Sequence, residues 1–196
     1  MLNKAVRMYG QNDLRLDTFE LPEIKDDEIL VKVISDSICM SSYKAALQGS
    51  NHKRVPDNIS EHPAIIGHEF CGLIEKVGAK WADKFTVGEK FTIQPAISYK
   101  GTLMTPGYAF EYCGGDSQHA ILLPEIMEQD CLLDYKAKEF FYGSLSEPLS
   151  CIIGTFHAQY HTKPGCYVHE MGIREGGNMA ILAGAGPMGL GAIDYA

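Results

Sequence analysis

The sequence predicts a mixed β and α/β protein, in which a strand-rich region is followed by the opening of a nucleotide-binding α/β unit. Three observations predict it. Over the first 95 residues, apolar and β-branched side chains recur at strand spacing with turn residues between them. Residues 95–117 then hold Pro95, Gly101, Pro106, Gly107, Gly114 and Gly115 with little periodicity. From about residue 135 the pattern turns helical, and it ends in an apolar run, a glycine turn and a helix start. Strands first and a βα unit afterwards argue for two domains of different class, placed at 1–150 and 151–196.

Taken in order, residues 4–9, 14–20 and 28–37 read as strands, separated by the turn segments Gln11-Asn12-Asp13 and Lys25-Asp26-Asp27. Residues 41–48 read as a short helix capped by a serine. Strands follow at 66–77 and 89–94, and 95–117 reads as an irregular loop. Residues 118–123 look like a returning strand. Residues 147–160 suit a helix, with Pro148 tolerated in its first turn. The glycines and proline of 162–177 mark a linker, and 178–183 read as a short apolar strand leading into the glycine turn.

Composition narrows the functional classes. Hydrophobic residues make up 45% of the 196, enough for a real core. The formal net charge of −8 makes a nucleic-acid partner unfavourable, because the phosphate backbone repels such a chain. The first residues lack the apolar run of a signal peptide, and no stretch is apolar enough to span a bilayer. The expectation is a cytoplasmic protein with no membrane partner. The six cysteines (39, 71, 113, 131, 151 and 166) are widely spaced and include no CxxC pair, which points to reduced thiols rather than a disulfide framework.

Four short segments carry chemistry. Gly184-Ala185-Gly186-Pro187-Met188-Gly189 fits GxGxxG between a strand and a helix. Glycines there allow a tight turn and close backbone approach to a pyrophosphate, while the helix start offers unpaired N–H groups. Gly67-His68-Glu69-Phe70-Cys71-Gly72 places two metal-ligating residue types side by side. Neighbours on a strand face opposite ways, so both reach one ion only if the backbone turns there or if one acts indirectly. Cys39-Met40-Ser41 opens the short helix, where a thiolate gains from the helix terminus and the hydroxyl can pass a proton. Glu147, in Ser146-Glu147-Pro148-Leu149, sits in the first turn of a helix. Each segment alone also has a plain structural explanation: a glycine-rich turn, a polar pair, a capping serine and dipole complementarity.

Together and in this order, the segments resemble the medium-chain zinc-dependent alcohol and polyol dehydrogenases. The middle motif matches closely: Gly-His-Glu, two residues, Gly72, five residues, Gly78. Val87-Gly88-Glu89-Lys90-Phe91 is similar to the family's short turn and strand, and Glu147-Pro148-Leu149-Ser150 looks like the sorbitol dehydrogenase branch. The segment from Tyr160 to Ala196 resembles bacterial sorbose-1-phosphate reductases within that branch.

The resemblance implies a GroES-like β-barrel catalytic domain, followed by the first, truncated part of a Rossmann dinucleotide-binding domain. It implies zinc on Cys39, His68 and a glutamate, with Glu69 and Glu147 both candidates, one as ligand and the other acting through water. The zinc would be a Lewis acid in the interconversion of a secondary alcohol and its ketone with NAD or NADP. Ser41 would begin the proton relay. Gly184, Gly186, Pro187, Met188 and Gly189 would bind the cofactor. The substrate would be a polyol, a ketose or a sugar phosphate, and the full-length form a homo-oligomer.

The chain also departs from that family. The four-cysteine lobe that holds a second, structural zinc would fall within 95–117, where only Cys113 is present. One catalytic zinc and no structural zinc are therefore expected, with the loop mobile or held by other contacts. Lys44 stands where a relay histidine is common. It serves the relay, meets a substrate phosphate, or is a solvated helix lysine. Lys44, His52, Lys53 and Arg54 form a basic cluster able to take a phosphate, or simply an exposed charged loop.

Overall fold

A computed structural model describes all residues 1–196. The chain divides into two compact units, Met1–Ser146 and Glu147–Ala196.

The first unit is built on antiparallel strands. β1 (Leu2–Gly10) and β2 (Asp13–Glu20) form a hairpin, and β4 (Ala64–Ile65) pairs the other edge of β1. A second sheet runs in the order β7-β3-β5-β6-β8, from β3 (Ile29–Asp36), β5 (Phe70–Val77), β6 (Lys90–Ile93), β7 (His119–Leu122) and β8 (Leu132–Asp134). The expected barrel is thus made of two sheets, and the bridge Ala5 to Ser117 ties them together. The main core is built on the five-stranded sheet, around Ile29, Val31, Phe70, Ile74, Phe91, Ile93 and Leu122. Phe70 and Phe91 meet edge to face at 6.0 Å, the favoured geometry for two aromatic rings.

Helices close the ends of this unit. α1 (Met40–Gln48) buries Ala45 and Ala46, and Ala45 joins Met8, Ile59 and Ile66 in a second apolar cluster. α2 (Pro124–Glu128) starts on a proline and inserts Ile126 and Met127 into the main core. α3 (Phe140–Ser144) lies against β3, β5 and β6, and the Cys71 thiol donates to the Phe140 carbonyl at 2.8 Å.

Several sequence expectations need correction. The start of α1 has no serine cap: Cys39 is the capping residue, and no side chain caps the helix. Ser41 lies inside the first turn and spends its hydroxyl elsewhere. The loop 95–117 is irregular as expected but is held by contacts, with Tyr108, Ala109 and Cys113 buried. α2 and β8 had no expectation because each is too short for periodicity to register.

The second unit holds α4 (Ser146–Ala158, its first residue in the first unit), the short hairpin β9 (Tyr160–His161) and β10 (Glu170–Met171), and α5 (Pro187–Tyr195). The hairpin replaces part of the expected linker at 162–177. The expected strand at 178–183 is not a strand. An isolated apolar run has no neighbour to accept its ladder, so extended residues there pair with nothing. Phe156 of α4 meets Tyr195 of α5 edge to face at 5.0 Å. No helix of the structure is long and apolar enough to cross a membrane.

Candidate metal centre

Backbone strain near β5 places the site. Gly67 has φ +88°, a region that penalises any side chain, and a Cβ there would overlap the Asp36 carboxylate. The chain therefore turns between β4 and β5. That turn answers the strand-parity problem: His68 and Glu69 precede β5 rather than alternating within it, and His68 Nε2 comes within 3.8 Å of Glu69 Oε1.

Cys39, entering α1, completes the set. The ligand atoms of Cys39, His68 and Glu69 all lie within 4.8 Å of one another. Zinc bonds of ~2.0–2.3 Å at tetrahedral angles set ligand atoms about 3.3–3.8 Å apart, so small side-chain movements suffice. The donor set is also chemically apt: one thiol, one imidazole and one carboxylate, with His68 and Glu69 each only 5% exposed. A polar pair such as His68 and Glu69, buried this deeply, is costly unless something compensates it.

The surrounding hydrogen bonds orient each donor. The Ser42 hydroxyl lies 3.3 Å from His68 Nδ1 and leaves Nε2 facing the cluster. Burial holds the His68 imidazole below its ordinary pKa, with Glu69 opposing and Arg54 adding to the effect, a shift that favours the neutral form that ligates metals. The Ser37 hydroxyl, with one proton to donate, is in hydrogen-bond reach of both Glu69 Oε2 and, at 3.0 Å, the Ser144 carbonyl. The Glu69 amide donates to Asp36 Oδ1 at 3.0 Å. Burial, then the neighbouring Asp116 carboxylate, pushes the Asp36 carboxyl up to about 8. Burial likewise raises the Cys39 thiol, while hydrogen bonds from Ser41 pull it down.

Ser41 is where the sequence placed it. Its Oγ lies 3.0 Å from Cys39 Sγ, 3.4 Å from His68 Nε2 and 2.7 Å from the Tyr108 hydroxyl. Tyr108, at 4% exposure, was missed by sequence reasoning. It sits in a glycine- and proline-rich stretch with no periodicity to mark it, yet its hydroxyl is 3.4 Å from His68 Nε2. Ser37 and Ser42 were missed for a similar reason: serines beside a motif look like turn residues.

The remaining candidates fall elsewhere. Lys44 is exposed on α1. Glu147 belongs to the second unit, in the first turn of α4, with the Cys151 thiol 3.6 Å from its Oε1. The glycine turn is also in the second unit: Gly186 caps α5 and Pro187 is its first residue. A Cβ on Gly189 would stand 2.5 Å from Gly184 Cα, so these two glycines let the turn and helix meet. Met188 is half exposed on the same turn of α5.

Comparison with known proteins matches this geometry to a family. Residues 25–126 match the alcohol dehydrogenase GroES-like domain. The chain is 53% identical to an L-sorbose 1-phosphate reductase from Klebsiella pneumoniae, over 98% of this chain and 47% of that protein. It is 52% identical to a mannitol-1-phosphate 5-dehydrogenase from Aliivibrio fischeri, over 98% of this chain and 45% of that protein. The chain thus spans about half the length of the curated relatives it matches. Its fold superposes on 2R,3R-butanediol dehydrogenase from Bacillus subtilis with a TM-score of 0.63 and 22% identity, covering 77% of this chain and 46% of that one.

Proposed function

The chain belongs to the alcohol dehydrogenase GroES-like domain family, and on that premise we propose that it is the metal-binding part of a zinc-dependent oxidoreductase that interconverts a secondary alcohol and its ketone with NAD or NADP. The single observation that carries this reading is the convergence of Cys39, His68 and Glu69 on one small volume. Relatives named as acting on sorbose 1-phosphate and mannitol 1-phosphate support a polyol, ketose or sugar phosphate as the substrate.

Cys39, His68 and Glu69 would hold the zinc, leaving a fourth position for the substrate oxygen, as a catalytic site requires. Bound there, zinc would supply Lewis acidity at the substrate oxygen, and a nicotinamide cofactor would supply the hydride chemistry. The residues of the chain manage the proton. Oxidation of the alcohol releases one proton, and Ser41 Oγ, 2.7 Å from the Tyr108 hydroxyl, would accept it while giving up its own, as the first group of a relay that ends in solvent. Burial of His68, Glu69 and Tyr108 keeps water from competing for the same position.

Gly184, Gly186, Pro187, Met188 and Gly189 would receive the cofactor pyrophosphate at the start of α5. A single zinc is part of the proposal. Cys113 is fully buried in the main core and burial pushes its thiol up to about 12, which disfavours a role as a metal-binding thiolate. Self-association of the longer protein belongs to the same reading.

Zinc analysis tests it. Purified without chelator, the chain is expected to carry about one zinc, as a three-donor site with one open position requires. Cys39→Ala and His68→Ala should each abolish retention. Retention of metal by both variants would end the proposal.

A further inference from the structure

Beside the metal cluster, the structure gathers positive charge that nothing neutralises. Arg54 lies with its guanidinium carbon 5.8 Å over the Tyr108 ring, within cation–π range. His52, 8% exposed, stacks on the same tyrosine at 5.6 Å with an interplanar angle of 7°. The Tyr108 hydroxyl then touches Ser41 and His68, as described above. One buried ring therefore connects Arg54 and His52 to the reacting centre.

The ion pairs of the chain leave this group out. Eight lysines and arginines of the first unit meet carboxylates; Lys44, Lys53 and Arg54, grouped around His52, are among those that meet none. The one side-chain hydrogen bond of Arg54 goes to the Leu103 carbonyl at 3.4 Å. In a chain of net charge −8, three unpaired cations in eleven residues are a local reversal of sign. Burial, then Arg54, Lys44 and Lys53, holds the His52 imidazole below its ordinary pKa. Its Nδ1 accepts the Arg54 amide at 3.3 Å, so the neutral ring carries its hydrogen on Nε2. The cluster thus offers a planar guanidinium fork, an imidazole donor and two ammonium groups, a set suited to a dianion.

We propose that Arg54 and His52, mounted on Tyr108 and flanked by Lys44 and Lys53, form the subsite that binds the phosphate of a phosphomonoester substrate. This rests on the reading of Cys39, His68 and Glu69 as the reacting centre and deepens it. The ester oxygen is anchored at one end of the Tyr108 ring, and a carbinol further along the same carbon chain is presented at the other. Specificity for a phosphorylated polyol over the free polyol then follows from Arg54. Lys44 contributes charge to the subsite and takes no part in the proton relay.

Calorimetric titration of the purified chain with mannitol 1-phosphate, mannitol and inorganic phosphate tests this, with zinc measured on the same sample. The ester is expected to bind at least about 10-fold tighter than mannitol, and inorganic phosphate to compete with it. Arg54→Ala should weaken the ester about 10–100-fold while leaving mannitol affinity and zinc content unchanged. Arg54→Lys should fall between, because a point charge replaces a fork. If Arg54→Ala does not fold, Lys53→Ala at the exposed neighbour should still weaken the ester and spare mannitol. Equal binding of ester and polyol, no ester binding at millimolar concentration, or ester affinity unchanged in the variants overturns the subsite. Zinc present without a phosphate preference sinks this inference alone. A phosphate preference without zinc sinks the proposed function and leaves the anion subsite standing.

Discussion

His68 turns Nε2 toward Cys39 and Glu69 and gives Nδ1 to the Ser42 hydroxyl. Partners of this kind set metal affinity nearly as strongly as the ligands do. Ser42→Ala should therefore weaken zinc binding by about 10-fold in a chelator competition, and an unchanged dissociation constant would contradict the assignment. Asp36 presents a different case. Its carboxyl binds a proton more tightly folded than unfolded, so its contribution to stability is complete below the unfolded value of 3.8 and is lost as pH rises through about 8. Asp36→Asn cannot ionise and keeps an Oδ1 for the Glu69 amide. In the metal-free chain, its stability relative to the natural residue should rise steadily between about pH 4 and 8. A difference that is constant across that range would show that Asp36 is not held protonated. At this scale the sequence was uneven. Cys39, Ser41, His68 and Glu69 could be found because spacing and order single them out. Tyr108 could not, because a tyrosine in an aperiodic loop carries no pattern, and only folding brings it to His68.

At the scale of elements, the Gly67–Gly72 segment does the positioning. Strands β3 and β5 approach closely at Gly72, where a Cβ would overlap the Lys32 carbonyl. Gly72→Ala must push the two strands apart, and it should cost about 1–3 kcal/mol in urea unfolding. A cost below about 0.5 kcal/mol would mean that the approach is looser than described. The loop 95–117 buries Tyr108, Ala109 and Cys113, and the single-zinc proposal gives it no metal. Cys113→Ala should accordingly leave the zinc content unchanged while destabilising the main core by about 1 kcal/mol or more, and loss of metal in that variant would contradict the single-zinc reading. Long alternating strands such as β1 and β3 were legible because one face is buried and period two is strict. The three-residue β8 and the five-residue α2 were not, since neither completes two periods of its own pattern. Residues 178–183 misled for another reason. Their apolar run has strand character, but pairing is a property of neighbours, and no strand of the second unit pairs with it.

Across the whole molecule, charge and metal chemistry are divided along the chain. The first unit holds the thiol, imidazole and carboxylate of the candidate centre together with its unpaired cations. The second holds Glu147 and the glycine turn that starts α5. This order was legible from sequence before any contact was known, because motif succession survives where individual motifs are weak. The account stands or falls on the identity of the atoms around the metal. X-ray absorption at the zinc edge of the purified chain reports them directly. One sulfur at about 2.3 Å with two or three nitrogen or oxygen neighbours at about 2.0–2.2 Å is the expected shell, from Cys39, His68 and Glu69. A shell with no sulfur, or one of four sulfurs, would place the metal elsewhere and contradict the account.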